Sequence, residues 1–245
     1  MIRVSVLGAG GRMGTEVVRA LKDAPDMQTA LLLGPEDDPA AINPSNTDVA
    51  VDFTSPDAVL GNTLILIGQG VHTVIGTTGW TKERLDQVRQ ALAEHPGVSV
   101  FIAPNFAISA VLADRFAAMA ARYFESAEVV ELHHPDKVDA PSGTALGTAS
   151  AIAKARRQAG MGPMPDATQQ PDPSRGRVVD GVHVHAVRLR GLNAHEEILM
   201  GNPGEQLTIR ADSFERVSFM PGVLLAVRRA GSIPGLSVGL DRYLF

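Results

Sequence analysis

The 245-residue chain has no cysteine. That excludes a disulfide scaffold, a thiolate nucleophile and any cysteine-ligated zinc or iron–sulfur centre. It has no basic excess either: 22 Lys and Arg face 27 Asp and Glu, a net charge of −5. Neither nucleic acid nor an anionic membrane surface is therefore expected as a partner. Long apolar runs are missing too. Val111-Leu112-Ala113 and residues 223–227 fall far short of the roughly 20 residues of a membrane helix. The opening segment Met1-Ile2-Arg3-Val4-Ser5-Val6-Leu7 runs straight into glycines, without the apolar region and cleavage site of a signal peptide. A cytoplasmic protein is expected. What is present, 44% apolar and 20% charged residues, is the composition of a globular chain of one or two domains.

Short β-branched runs alternate with helical patterns through the first hundred residues. Residues 2–7, 27–33, 48–53, 71–75 and 98–102 read as strands. Between them, residues 15–22 have apolar positions at helical spacing, Ser55-Pro56-Asp57 signals a helix start with Pro at its first position, and Thr81-Lys82-Glu83-Arg84 signals another. Such alternation predicts an α/β fold: a Rossmann-like, doubly wound parallel sheet with helices on both faces. The texture changes after Phe106. Residues 107–124 read as an Ala-rich helix, 128–134 as a strand, 142–157 as a helix and 160–176 as an extended surface loop. Runs 182–190, 196–200 and 206–211, joined by short turns such as Asn202-Pro203-Gly204, read as an antiparallel meander. A second, α+β domain with a mixed or antiparallel sheet is expected. Residues 213–229 read as a helix that Pro221-Gly222 would bend or interrupt.

The loop Gly8-Ala9-Gly10-Gly11-Arg12-Met13-Gly14 lies between the first strand and the first helix. In that setting glycines allow a tight turn and close approach of a pyrophosphate, which the free N–H groups and dipole of the helix then hold. The spacing is Gly8-x-x-Gly11-x-x-Gly14, and Arg12 is placed to touch phosphate. An ordinary glycine turn is the plainer alternative. Dinucleotide folds usually carry Asp or Glu at the tip of the second strand for the ribose hydroxyls. Here that strand ends Leu33-Gly34, with no acid at its tip and no Arg after it; Glu36, Asp37 and Asp38 read as loop charges. The adenosine end is thus expected to be read weakly. NADH and NADPH should both serve, with kcat/KM values within about tenfold, or roughly 1.4 kcal/mol. Two further loops, Gly76-Thr77-Thr78-Gly79 and Ala103-Pro104-Asn105-Phe106, end parallel strands, where ligands sit in such sheets. Thr78 and Asn105 are placed to bond a nicotinamide or its ribose, though turn chemistry explains either loop equally well.

The densest chemistry lies in Glu131-Leu132-His133-His134-Pro135-Asp136-Lys137-Val138-Asp139-Ala140-Pro141-Ser142-Gly143-Thr144. Two imidazoles and a lysine follow a strand end. Pro-Ser-Gly-Thr then opens a helix whose N–H groups near Gly143 and Thr144 suit a carboxylate. Lys137 can neutralise a second carboxylate, and histidine carries protons near neutral pH. The set suggests a small dianionic acid that is protonated during reaction. A metal site is disfavoured and none is expected: adjacent strand histidines face opposite ways, and no carboxylate obviously converges on them. A helix-capped histidine pair of structural role remains the alternative.

These residues resemble a known family. His133-His134-x-x-Lys137 with Asp139-Ala140-Pro141-Ser142-Gly143-Thr144 is similar to the signature of the dihydrodipicolinate (4-hydroxy-tetrahydrodipicolinate) reductases, and the three loops above match in order. The short chain resembles their actinobacterial branch. The resemblance implies reduction of a dihydrodipicolinate-type substrate to tetrahydrodipicolinate, in the diaminopimelate route to lysine, by hydride from NADH or NADPH. It implies His133 as proton donor or acceptor, Lys137 as second proton donor and carboxylate partner, His134 as a substrate contact, and Gly143 with Thr144 as a carboxylate holder. It assigns the cofactor to Gly8, Ala9, Gly10, Gly11, Arg12, Met13, Gly34, Gly76, Thr77, Thr78, Ala103, Pro104, Asn105 and Phe106. It also implies a homotetramer built through the second domain. Residues 1–106 and 216–245 would form the dinucleotide domain, and 107–215 the substrate and oligomerisation domain. Two rivals remain. An amino-acid dehydrogenase of homoserine or aspartate type explains the glycine loop but not the His-Lys segment. A non-catalytic dinucleotide sensor explains the fold alone.

Overall fold

The computed structural model describes residues 1–169 and 172–245. The chain divides into two units, Met1–Ala107 with Arg216–Phe245, and Ile108–Glu215. The first opens with β1 (Ile2–Leu7), α1 (Arg12–Asp23), β2 (Met27–Leu33), β3 (Val49–Asp52), α2 (Val59–Gln69), β4 (His72–Ile75), α3 (Lys82–Glu94) and β5 (Ser99–Ile102). The second holds α4 (Ile108–Ala120), β6 (Ser126–His133), α5 (Gly143–Gln158), β7 (Arg177–Val179), β8 (Val182–Arg188), β9 (Ala194–Asn202) and β10 (Glu205–Ser213). The chain then returns to the first unit with α6 (Met220–Arg229), β11 (Gly235–Val238) and α7 (Asp241–Leu244).

Six parallel strands make the first sheet, in the order β11-β5-β4-β3-β1-β2. Every residue of β3 and β5 is buried, as expected of short Val- and Ile-rich strands covered on both faces. The chain passes from β1 to β2 and then crosses to the other side of β1. The switch point, where ligands bind in open α/β sheets, therefore lies at the carboxyl ends of β1 and β3. Thr81 caps α3 through a bond from the Arg84 N–H to its Oγ1 at 3.3 Å. The Pro56 segment does not start α2. Residues 56–58 form a turn in which the Ser55 carbonyl accepts the N–H groups of Ala58 and Val59, and the helix begins at Val59.

The second sheet runs β10-β9-β6-β8-β7. It corrects the meander. β6 lies between β8 and β9, parallel to the first and antiparallel to the second; β9 pairs with β10 as a hairpin, and β8 pairs instead with the short β7 before it. α4 and α5 cover one face, where Ala117, Ala121, Ala149 and Ile152 pack with Val129, Val184, Ile198 and Met200. α4 stops at Ala120 and tightens into a 3-10 turn over Ala121–Tyr123. Arg156 of α5 stops the orphan carbonyls there from going unpaired, donating to Phe124 and, at 2.9 Å, to Glu125. Pro221 does not bend the returning helix. A 3-10 turn over Arg216–Phe219 precedes it, and Pro221 sits in the first turn of α6, where no N–H is needed. No helix among the described residues is long and apolar enough to cross a membrane.

Candidate active site

In the first unit a pocket of about 480 Å³ opens at the switch point. Its wall includes Gly8, Gly10 and Gly11 from the loop after β1, Gly34 and Asp37 after β2, and Phe53, Thr54 and Asn62 beyond β3. The loop is shaped by close approaches that only glycine permits. Gly8 has φ +75°, and a Cβ there would lie 2.6 Å from the Phe53 carbonyl oxygen. A Cβ at Gly14 would lie 2.1 Å from the Gly8 carbonyl oxygen, so this glycine lets α1 start directly beneath the loop. Gly11 occupies the N-cap position of α1 and offers no side-chain cap, which leaves the first N–H groups of the helix for an anion. The cradle fits a dinucleotide: apolar walls for a base, bare backbone for the pyrophosphate.

The other loops named from the sequence lie at the ends of β4 and β5. Gly76 has the Phe53 ring against it, 2.0 Å from where a Cβ would be. The Thr77 hydroxyl is buried and donates to Asp52 Oδ1 at 3.0 Å, while Thr78 is exposed. Asn105 Oδ1 accepts the Ala107 N–H at 2.8 Å, an Asx turn. Ala103 and Phe106 are buried, the Phe106 ring 5.9 Å from that of Phe53; Pro104 is exposed. Arg12 begins α1 exposed, and Ala9 and Met13 are half-buried. Asp52, which composition and spacing did not single out, organises this end of the sheet. Fully buried, it accepts from the Thr54 N–H and hydroxyl at 2.9 and 2.7 Å, from the Thr77 hydroxyl, and from Asn62 Nδ2 at 2.9 Å.

In the second unit, β6 ends at His133, and its inner face reads Ala127, Val129, Glu131. A carboxylate thus stands where the pattern calls for an apolar residue. Glu131 is fully buried and fully partnered. Oε2 takes His133 Nδ1 at 2.6 Å and Arg188 Nη1 at 2.8 Å; Oε1 takes the Ser142 N–H at 3.0 Å and Arg188 Nη2 at 2.8 Å. Burial pushes its pKa up, but the bonds from Arg188, His133 and Ser142 more than offset this and hold it below the usual carboxylate range. Burial lowers the pKa of His133. Glu131 works against that lowering, and the charges of Lys137 and Arg188 add to it.

Ser142 caps α5, its Oγ accepting the Ala145 N–H at 3.1 Å, so Gly143 and Thr144 are the first residues of that helix. The loop between β6 and α5 is pinned from β8: Arg188 Nη2 also donates to the Asp139 carbonyl at 2.7 Å. Lys137 Nζ donates to Asp139 Oδ1 at 2.6 Å, and that ammonium is the main reason the Asp139 pKa lies low. His134 leaves the strand, its carbonyl accepting the Lys137 N–H at 3.2 Å. The structure therefore ties His133 and the α5 start to one carboxylate and one guanidinium, and Lys137 stands on Asp139, whose carbonyl the same guanidinium holds. The sequence motifs assign no role to Glu131 or Arg188. The period of two along a strand puts Glu131 and His133 on one face and is the signal for the first; nothing local announces Arg188.

Comparison with known proteins agrees with this geometry. The model for the N-terminus of dihydrodipicolinate reductase matches residues 2–106, and that for its C-terminus residues 109–244. A 4-hydroxy-tetrahydrodipicolinate reductase of Bifidobacterium animalis subsp. lactis is 68% identical, over 100% of this chain and 99% of the relative. One of Beutenbergia cavernae is 58% identical, over 99% of this chain and 98% of the relative. The dipicolinate-bound dihydrodipicolinate reductase of Paenisporosarcina sp. TG-14 superposes with a TM-score of 0.86 at 34% identity, covering 99% of both chains. A probable dehydrogenase of Thermotoga maritima, at 12% identity and a TM-score of 0.66 over 99% of this chain and 92% of its own, shares the fold. Over both of its units, the chain belongs to the dihydrodipicolinate reductase family.

Proposed function

We propose that this chain reduces 4-hydroxy-tetrahydrodipicolinate to tetrahydrodipicolinate, adding a hydride and a proton while the 4-hydroxyl leaves as water, a step of the diaminopimelate route to lysine, using a nicotinamide cofactor held by the first unit. The observation that carries the reading is the pair of buried Glu131 and half-buried His133 beside the open start of α5, in a chain of this family. The cofactor, when bound, supplies hydride from C4 of its dihydronicotinamide. The residues of this chain supply the rest. The N–H groups at Gly143 and Thr144 hold one substrate carboxylate through the positive end of α5. Lys137 turns from Asp139 to the second carboxylate and serves as a further proton donor; His134 is a substrate contact. His133, its Nδ1 fixed on Glu131, offers Nε2 for proton transfer. Backbone of the loop after β1 holds the pyrophosphate, and the loops after β4 and β5 face the nicotinamide half.

The same reading makes the protein a cytoplasmic homotetramer. The face of the second sheet opposite α4 and α5 carries half-buried Val130, Leu132 and Leu199, which alternate with core residues and would pack between copies. Two measurements test the function. Pyridine-2,6-dicarboxylate should bind by calorimetry, and cofactor oxidation should require the enzymatically generated substrate rather than homoserine or aspartate. His133→Gln should lower kcat by about 10² to 10⁴ while moving KM far less. A kcat within a few-fold of wild type would remove His133 from the chemistry.

A further inference from the structure

The tip of β2 is where a dinucleotide fold reads the adenosine ribose, and position 34 there is glycine. The space beside it is nonetheless filled by a carboxylate. The chain turns back after Pro35, and Asp37 Oδ2 accepts the Gly34 N–H at 2.7 Å. A Cβ built on Gly34 would lie 3.6 Å from that same oxygen. Asp37 thus reaches, from three residues further on, to van der Waals contact with the place where a Cβ at position 34 would stand. Asp37 is an exposed loop residue, yet it lines the pocket, with Gly8, Gly10 and Gly11 also contributing to the wall. Its other oxygen, Oδ1, accepts no bond from the described residues and remains for a hydroxyl. The neighbouring acids differ. Asp38 is engaged in a turn, accepting the Ala40 N–H at 2.9 Å, and Glu36 does not line the pocket. Among the described residues the pocket wall contains no Lys or Arg.

We propose that Asp37 reads the adenosine ribose in place of the missing acid at position 34, and that it makes this chain select NADH over NADPH. The proposal rests on the glycine loop being a dinucleotide site. A carboxylate accepts from the 2′- and 3′-hydroxyls of NADH, whereas the 2′-phosphate of NADPH meets a like charge with no cation in the wall to offset it. This replaces the even use of both cofactors that follows when Gly34 is considered alone.

The test is binding without turnover. Dissociation constants for NADH and NADPH are measured by calorimetry and by dihydronicotinamide fluorescence on wild type, Asp37→Asn and Glu36→Gln. Wild type should bind NADH at least about tenfold more tightly than NADPH. Asp37→Asn retains an acceptor for the Gly34 N–H and loses the charge. It should shrink the ratio about fivefold or more, chiefly by tightening NADPH, and Glu36→Gln should leave it within about twofold. Asp37→Ser, which removes the contact as well, should also weaken NADH. A wild-type ratio near one, or a ratio indifferent to Asp37→Asn, overturns the proposal while leaving the dinucleotide site intact. Failure of wild type to bind either cofactor overturns both.

Discussion

His133 Nδ1 lies 2.6 Å from Glu131 Oε2, two residues back on the same face of β6. The contact decides the tautomer. An ionised carboxylate only accepts, so Nδ1 carries the proton and Nε2 presents the lone pair. Because Glu131 also takes the Ser142 N–H and both Nη atoms of Arg188, one buried carboxylate fixes the imidazole ring, the start of α5 and the loop between them. The imidazole and the open end of the helix are thereby referred to a common point.

Glu131→Gln separates these roles. The amide keeps the shape, but it leaves the Arg188 guanidinium without its counter-charge and can present its NH₂ to His133. Breaking a buried pair in this way costs about 3 kcal/mol, which urea unfolding should register as a lower midpoint at unchanged slope. The kcat should fall about 10- to 100-fold with KM within a few-fold, since the ring is misoriented rather than the substrate released. Full kcat in a folded Glu131→Gln protein would show that His133 needs no orienting partner.

Substrate-like dianions should draw a proton onto His133. Burial keeps the free imidazole below its ordinary pKa, so it is mostly neutral at pH 7. Two negative charges arriving beside it favour the cation and raise that pKa. Pyridine-2,6-dicarboxylate binding at pH 7 is expected to take up a fraction of a proton, visible as a dependence of the calorimetric enthalpy on buffer ionisation heat. His133→Gln should abolish the uptake. Equal enthalpies in all buffers for wild type would place the dianion away from His133.

Lys137 is paired with Asp139 at 2.6 Å, an ion pair with its carboxylate half-exposed. Exposed pairs of this kind are weak, so the ammonium can exchange partners at little cost. Lys137→Ala should weaken pyridine-2,6-dicarboxylate about tenfold or more and also lower kcat, with the wild-type advantage shrinking as salt is raised. Unchanged affinity would confine Lys137 to a structural or purely catalytic role.

Much of this was legible in the sequence, and the gaps have a common cause. β1 and β2 have the bounds their apolar runs indicate, because each run stops at a glycine, and after β1 the loop requires it. Thr81 announces α3 because capping is local. The position of β6 between β8 and β9 is not local, and runs adjacent in sequence gave the wrong neighbours. β11, four residues that open on Gly235 and stop at Gly239, carries too little pattern to separate from a turn. At the site, the His-Lys segment was visible because its chemistry is contiguous. Arg188 comes from another strand, and Asp37 matters only because its side chain folds back on Gly34.

Glu196 stands directly across from Glu131 in the β6–β9 ladder. Both carboxyls sit on the covered face of the sheet and both are buried. Glu131 has a guanidinium and stays ionised. Glu196 has none: burial pushes its pKa up to about 7, a hydrogen bond from Thr148 of α5 opposes that, and the charges of Asp114 on α4 and Glu131 on β6 push it further up. The folded protein therefore holds a proton that the unfolded chain releases near pH 4.5. The contribution is fully present below that pH and is lost as pH rises through about 7. Integrated over the window it amounts to at most about 3 kcal/mol. Glu196→Gln, which keeps the hydrogen-bonding shape without a titrating proton, should have nearly wild-type stability at pH 5 and exceed it at pH 8. Chemical unfolding of both proteins across that range measures the difference directly, with the other titrating groups cancelling between them. A difference that does not change with pH would mean that Glu196 is ionised in the folded protein, held by a charge partner other than those among the described residues.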